Sequence, residues 1–197
     1  MSQNLLRRRQ MLLYFGLGAI GAGAATAVSG LRSASTAPES PSPVEPSQVA
    51  MMPSGKTLPE FQGISAWLNS APLATADLKG SVVLVQFWTF ACINCQRTLP
   101  YIVQWHQQYA AQGLKVIGIH TPEFAFEREE TNIKRALQQH QITYSVPVDN
   151  EYKTWNAYGN SYWPHLYLAD RQGMLQYDHV GEGAYTETEQ TIRRLLG

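Results

Sequence analysis

The chain has 197 residues, 44% of them apolar, with 15 basic and 15 acidic side chains and two cysteines. That length provides one ordinary domain and a surplus, enough for a core that needs no cross-links. The balanced charge offers no basic face for nucleic acid.

The surplus lies at the front. Arg7, Arg8 and Arg9 precede a run without charge from Met11 to Leu31, the pattern of an export signal or a membrane anchor. The order RRRQMLLYFG resembles a twin-arginine signal, and glycines at 16, 18, 21 and 23 suit that route's modest hydrophobicity. Ala25-Thr26-Ala27 would allow cleavage, whereas the length of the run would allow it to stay in a bilayer. In both cases the remainder is expected outside the cytoplasm, with the arginines inside. Residues 32–56 hold five prolines and six serines and read as an extended tether. Five of the basic and two of the acidic residues fall in 1–56, which leaves a mildly acidic domain at 57–197 with ten against thirteen.

Within that domain SVVLVQFW (81–88) is a short valine-rich run, hence a buried strand. The cysteines Cys92 and Cys95 come next. Leu99, Ile102, Val103, Trp105, Tyr109 and Ala110 then recur at helical spacing until Gly113. LKVIGIH (114–120) predicts a second buried strand. FEREETNIKRALQQHQ (126–141) predicts a helix with Ile133, Ala136 and Leu137 inward and Glu130 four residues before Lys134. A short helical stretch near Trp155 to Tyr158 precedes HLYLA and MLQYDHV, two strands joined by the polar turn DRQG into a hairpin. The tail TETEQTIRRLLG predicts a last helix capped by Thr186 or Thr188. The order implies an α/β domain with a mixed sheet.

The lone CxxC admits four readings. Structural zinc needs four ligands, and none of His106, His120, His140, His165 and His179 lies three to five residues from another. Covalent haem needs histidine after the second cysteine, where Gln96 stands. A staple closing a ring of about four residues gains only about 2 kcal/mol, against about 3 for a fifteen-residue loop. Electron transfer needs an accessible thiolate and a second sulfur to resolve a mixed disulfide. At a helix start the unpaired N–H groups and the dipole favour the anion, so Cys92 is the attacking sulfur and Cys95 the resolver. This reading fits an exported setting and calls for no cofactor beyond the Cys92-Cys95 disulfide.

Strand, FWxxxCxxC, helix and a later strand that opens with proline resemble the thioredoxin fold, in its exported TlpA-like branch. FWTFACINCQRTLPYI, VIGIHTPEFAFE, PVDNEYKTWNAYGNSYWPHLYLAD and HVGEGAYTETE are similar in order to the thioredoxin-like domain of the DipZ type, often joined to a membrane electron carrier resembling CcdA. The resemblance covers 57–197. It implies a thioredoxin fold with a central mixed β-sheet flanked by helices on both faces. It also implies Cys92 and Cys95 as the redox pair, and Pro164 as a proline with a preceding cis bond against the disulfide. Three positions depart from it. Gln86 replaces a buried aspartate, Ala91 a tryptophan, and Thr98 a glutamate kept by some TlpA-like reductases, which opens the question of proton handling. Glu123, at the end of the second strand, is a candidate for that role, with His120 read as a hydrogen-bonded strand-end residue. Trp88, Trp163 and Tyr162, with Trp155, are candidates for an apolar docking rim.

The function this implies is an exported thiol-disulfide oxidoreductase in a periplasm or thylakoid lumen, reducing client-protein disulfides and recharged by a CcdA-like membrane donor. Two alternatives stand beside it. One is a thiol peroxidase, because Thr89 lies three residues before Cys92 as in the peroxiredoxin PxxxTxxC pattern, although Val85 replaces its proline. The other is a non-catalytic module that holds zinc or docks partners.

Overall fold

The computed structural model describes residues 55–197. The expected signal or anchor at 1–31 and nearly all of the tether at 32–56 lie outside the described residues. Among those described, no helix is long and apolar enough to cross a membrane.

Six strands, β1 (Ala66–Leu68), β2 (Val82–Trp88), β3 (Leu114–His120), β4 (Val146–Val148), β5 (His165–Ala169) and β6 (Leu175–Val180), make one sheet. Their spatial order is β1-β4-β3-β2-β5-β6. β2, β3 and β4 run parallel, while β1, β5 and β6 pair antiparallel to their neighbours. The parallel connections carry the helices α1 (Ile93–Tyr109) and α2 (Glu130–Gln139), as crossovers must. α3 (Lys153–Ala157) leads into β5, and α4 (Tyr185–Leu196) closes the chain.

Valine-rich β2 is central, and all seven of its residues are buried. Val82, Leu84 and Trp88 face a cluster with Leu99 and Ile102 of α1, Ile133 of α2 and Ile192 of α4. Val83, Val85 and Phe87 face the opposite side, against Leu58, Leu78 and Trp155 of α3. Burial on both faces is why this strand reads as a continuous apolar run and not as an alternation. The fold is therefore thioredoxin-like, with helices on both faces as expected, and β5 and β6 form the expected hairpin.

Three local features differ from the sequence reading. The helix expected over 126–141 is divided: a 3₁₀ turn at Ala125–Arg128 precedes α2, and Glu129 between them is extended. The break turns Glu127 inward. The last helix is not capped by threonine, because Ala184 in the left-handed region (φ 49°) occupies the cap position and Thr188 is buried with its hydroxyl 3.1 Å from that of Tyr177. Finally, β1 and β4 are three residues each, too short to show a periodicity.

Gly118 of β3 lies opposite Gln86 in the sheet, and its missing side chain makes room for two rings. A Cβ there would stand 2.7 Å from the Tyr144 ring and 3.2 Å from Trp88 Nε1. The same indole N–H donates to the Gly118 carbonyl at 3.1 Å. Gly118→Ala should therefore cost about 1–3 kcal/mol by overpacking. Urea unfolding checks this, and an unchanged midpoint would show that Tyr144 can move aside.

Candidate active site

The site forms where the central strand hands over to α1. Cys92 is the N-cap of that helix, with extended backbone (φ −75°, ψ 116°), and its Sγ accepts the Cys95 backbone N–H at 3.3 Å. A hydrogen bond from the Cys95 thiol is the largest influence on Cys92, joined by the backbone N–H groups of Cys95 and Asn94. Together they outweigh burial and the charge of Glu123 and lower the thiol to about 7. Cys92 is partly exposed and Cys95 fully buried; both are free thiols. Burial, and then the hydrogen bond given to Cys92, push the Cys95 thiol far above its ordinary value. One sulfur is thus prepared to ionise and meet a partner, and the other is held protonated behind it.

Opposite them the Trp163–Pro164 peptide bond is cis. The Trp163 carbonyl faces Cys92 Sγ at 3.9 Å. Trp163 is fixed by its indole N–H on the Thr121 carbonyl (3.0 Å) and by packing on Trp155 at 4.2 Å between centroids, while the Pro164 carbonyl accepts the Gly181 N–H at 2.8 Å. Tyr162 is 59% exposed beside them. Trp88, expected on the rim, is instead fully buried with its N–H spent on Gly118. Its place in β2 points it into the core, so it has no part in docking.

Glu123, the candidate for proton handling, reaches Cys92 through its charge and not through a hydrogen bond of its carboxylate. Its side chain is exposed in the loop after β3, and only its backbone N–H enters the site's hydrogen bonds. The carboxylate of this loop that is buried is Glu127, four residues on. Its Oε1 accepts the Thr89 hydroxyl and the Ala91 N–H (2.9 Å), and its Oε2 accepts the N–H groups of Glu123 (2.7 Å) and Phe124 (2.8 Å). No local pattern announced it: the donors come from two separate loops, and EREE looks like a solvated helix start.

His120, at the end of β3, is fully buried with Nε2 3.4 Å from Thr89 Oγ1 and its ring stacked on Phe90. Burial lowers its pKa to about 4 against the pull of Glu127, so it is neutral near pH 7. This agrees with its reading as a hydrogen-bonded strand-end residue. Gln86 is buried with neither amide atom partnered among the described residues. Thr98 gives its hydroxyl to the Asn94 carbonyl at 2.9 Å, so neither Gln86 nor Thr98 places an acid beside the cysteines. Among the described residues no three His, Cys, Asp or Glu side chains lie close enough to hold a metal ion.

A dithiol with one lowered and one buried sulfur, at a helix start facing a cis-proline on this sheet, is a thioredoxin-like dithiol site. The chain belongs to the AhpC/TSA family, whose model matches residues 54–178. Protein DipZ of Mycobacterium tuberculosis is 44% identical over 150 residues, which are 75% of this chain and 22% of that protein. The thiol-disulfide oxidoreductase YkuV of Bacillus subtilis is 27% identical over 139 residues, 71% of this chain and 93% of that one. A solved thioredoxin-like protein in its oxidised form matches with a TM-score of 0.66 and 28% identity, covering 71% of this chain and 94% of that one.

Proposed function

We propose that the chain is an exported reductase of partner-protein disulfides, recharged by a CcdA-like membrane electron carrier. The observation that carries this reading is the contrast between Cys92, partly exposed with its thiol lowered to about 7, and Cys95, sealed behind it. The Cys92 thiolate attacks a partner disulfide and expels one partner sulfur as thiolate. Cys95 then attacks Cys92 in the mixed disulfide, releasing the second partner thiol and closing the Cys92-Cys95 disulfide. Two electrons have passed to the partner, and two must return from a donor.

Thiolate stability bears on the direction of flow. A thiol held near 3.5, as in the strongly oxidising members of this fold, stabilises the reduced form heavily, whereas one near 7 matches thioredoxin. The value at Cys92 supports reduction. Tyr162 and the Trp163 carbonyl beside Cys92 Sγ would receive an extended partner segment. Resemblance to DipZ supports the membrane carrier, and the arginine-led apolar run supports export to a periplasm or lumen, with residues 1–31 cleaved or kept as an anchor. The peroxidase alternative gains nothing from the geometry, because Thr89 spends its hydroxyl on Glu127.

Equilibration of the full chain with thiol buffers, followed by trapping of free thiols, tests this. A potential near −270 mV is expected; one near about −120 mV would make the protein an oxidant.

A further inference from the structure

His165 stands immediately after Pro164, on the strand that leaves the Cys92 site, and its ring is the centre of a hydrogen-bond chain that sulfur exchange does not itself require. It is 7% exposed. Its Nε2 lies 3.0 Å from the Asp178 carboxylate of β6, and its Nδ1 lies 2.5 Å from Asn160 Oδ1 and 2.9 Å from the Tyr167 hydroxyl. Asn160 is buried as well, and its amide is oriented from the far side, where Nδ2 donates to the Tyr162 carbonyl at 3.2 Å. The chain therefore runs from β6 through His165 and Asn160 to the backbone of the loop that brings Tyr162 and the Trp163 carbonyl to Cys92.

These groups have two ways to place their protons. Asn160 Oδ1 and the Asp178 carboxylate are both acceptors, so the imidazolium, with an N–H on each side, satisfies both. A neutral ring carries one N–H. Held by the carboxylate at Nε2, it leaves a lone pair at Nδ1. The Tyr167 hydroxyl can fill that lone pair, but the Asn160 oxygen then faces it as one acceptor against another. Turning the Asn160 amide relieves the conflict and takes Nδ2 away from the Tyr162 carbonyl. We infer that His165 is a proton-dependent positioning residue for partner docking: with its proton, Asn160 ties down the Tyr162 carbonyl and sets the loop for an extended partner segment, and without it the tie is released. The inference rests on the exchange reading above and gives its docking loop a control separate from the Cys92 thiolate.

Burial lowers the His165 pKa, the hydrogen bond and charge of Asp178 oppose it, and a charged His179 adds to the lowering. The proton is therefore exchanged on the acid side of the ordinary value of about 6.5. The titratable groups facing the ring are Tyr167 on its own strand, Asp178 and His179 of β6, and Tyr158, which follows α3 and packs on Tyr167. Burial holds both tyrosines above their ordinary range, so they stay protonated throughout. A loop already ordered loses less entropy when a segment binds, so docking is tighter in acid.

The test uses the reduced full chain and two pyridyl disulfides: a small symmetric one, which needs no docking, and one carried on the cysteine of a short, blocked, uncharged peptide. Cys92 attacks either, a new Cys92 S–S bond forms, the old S–S bond breaks, and the pyridyl thiolate leaves as the coloured product. Both rates carry the Cys92 thiolate fraction, so the ratio of peptide to small disulfide isolates docking. That ratio should fall about 3- to 10-fold along a single titration as pH rises, the worth of one neutral hydrogen bond. At the same midpoint, nitrogen NMR should show the His165 ring passing from two protonated nitrogens to one. Asn160→Ala should hold the ratio low at every pH, and Asp178→Asn should move the midpoint to more acid values. A flat ratio while His165 titrates would overturn the inference, as would a His165 ring that does not titrate or a pH-dependent ratio that survives in Asn160→Ala. If Asn160→Ala fails to fold, the wild-type ratio and spectra decide between these outcomes. If Cys92 does not attack the small disulfide, the exchange reading itself fails and takes this inference with it; attack with a flat ratio leaves that reading standing and removes only the inference.

Discussion

Cys92→Ala abolishes disulfide exchange, by roughly three orders of magnitude or more, because no other sulfur can take its place as nucleophile. Cys95 cannot substitute for it: the side chain is fully buried and its thiol is held far above the ordinary range by desolvation. The companion variant, Cys95→Ser, has the opposite signature. Cys92 still attacks, but nothing resolves the product, so a mixed disulfide accumulates and can be isolated with its partner attached. Gel analysis without reductant, with mass spectrometry of the trapped species, distinguishes the two. If Cys95→Ser formed no adduct and Cys92→Ala did, the roles would be reversed and the accessibility argument wrong.

The second large effect is the pH dependence of Cys92. A thiol at about 7 is half ionised at neutral pH, about fifteen times the thiolate fraction of an ordinary cysteine near 8.5. Intrinsic nucleophilicity falls about fivefold over the same interval, which leaves a net gain of about threefold. Alkylation of Cys92 should rise with pH and titrate near 7, while Cys95 in the native dithiol stays unmodified from about pH 6 to about 9. A midpoint at or above about 8.5 would remove the basis for Cys92 as the entry point.

The two cysteines pull the pH dependence of stability in different directions. For Cys92 the folded value lies below the unfolded one, so its contribution to the reduced fold is present above about 8.5 and is lost as pH falls through 7. For Cys95 the folded value is raised, so its contribution is present below about 8.5 and is lost as pH rises beyond that. As far as these two thiols set it, the thermal midpoint of the reduced chain should therefore be highest near about pH 8.5.

Much of the site was legible in residue order alone. The run Val82–Trp88, the two cysteines and the apolar positions of α1 sit within thirty residues, and strand and helix periods are local properties of a chain. The cis bond before Pro164, which the resemblance implies, is present, and the Trp163 carbonyl lies 3.9 Å from Cys92 Sγ. The hairpin was visible because a polar turn between two apolar runs is also local.

Where the reading missed, the missing information lay in another part of the chain. Trp88 has the same residue type whether it lines a rim or fills a core, and only the ring of Tyr144 and the bare backbone of Gly118 placed it inside. Glu123 and Glu127 are chemically alike and four residues apart. What separates them is that the backbone turns at Ala125–Arg128 and that Thr89 and Ala91, more than thirty residues earlier, supply donors to one and not the other. Residue type and spacing settled the strand–CxxC–helix chemistry, because they act over a few turns of backbone. The choice of which carboxylate is buried depended on donors brought together from separate segments, and that choice exists only once the sheet has formed.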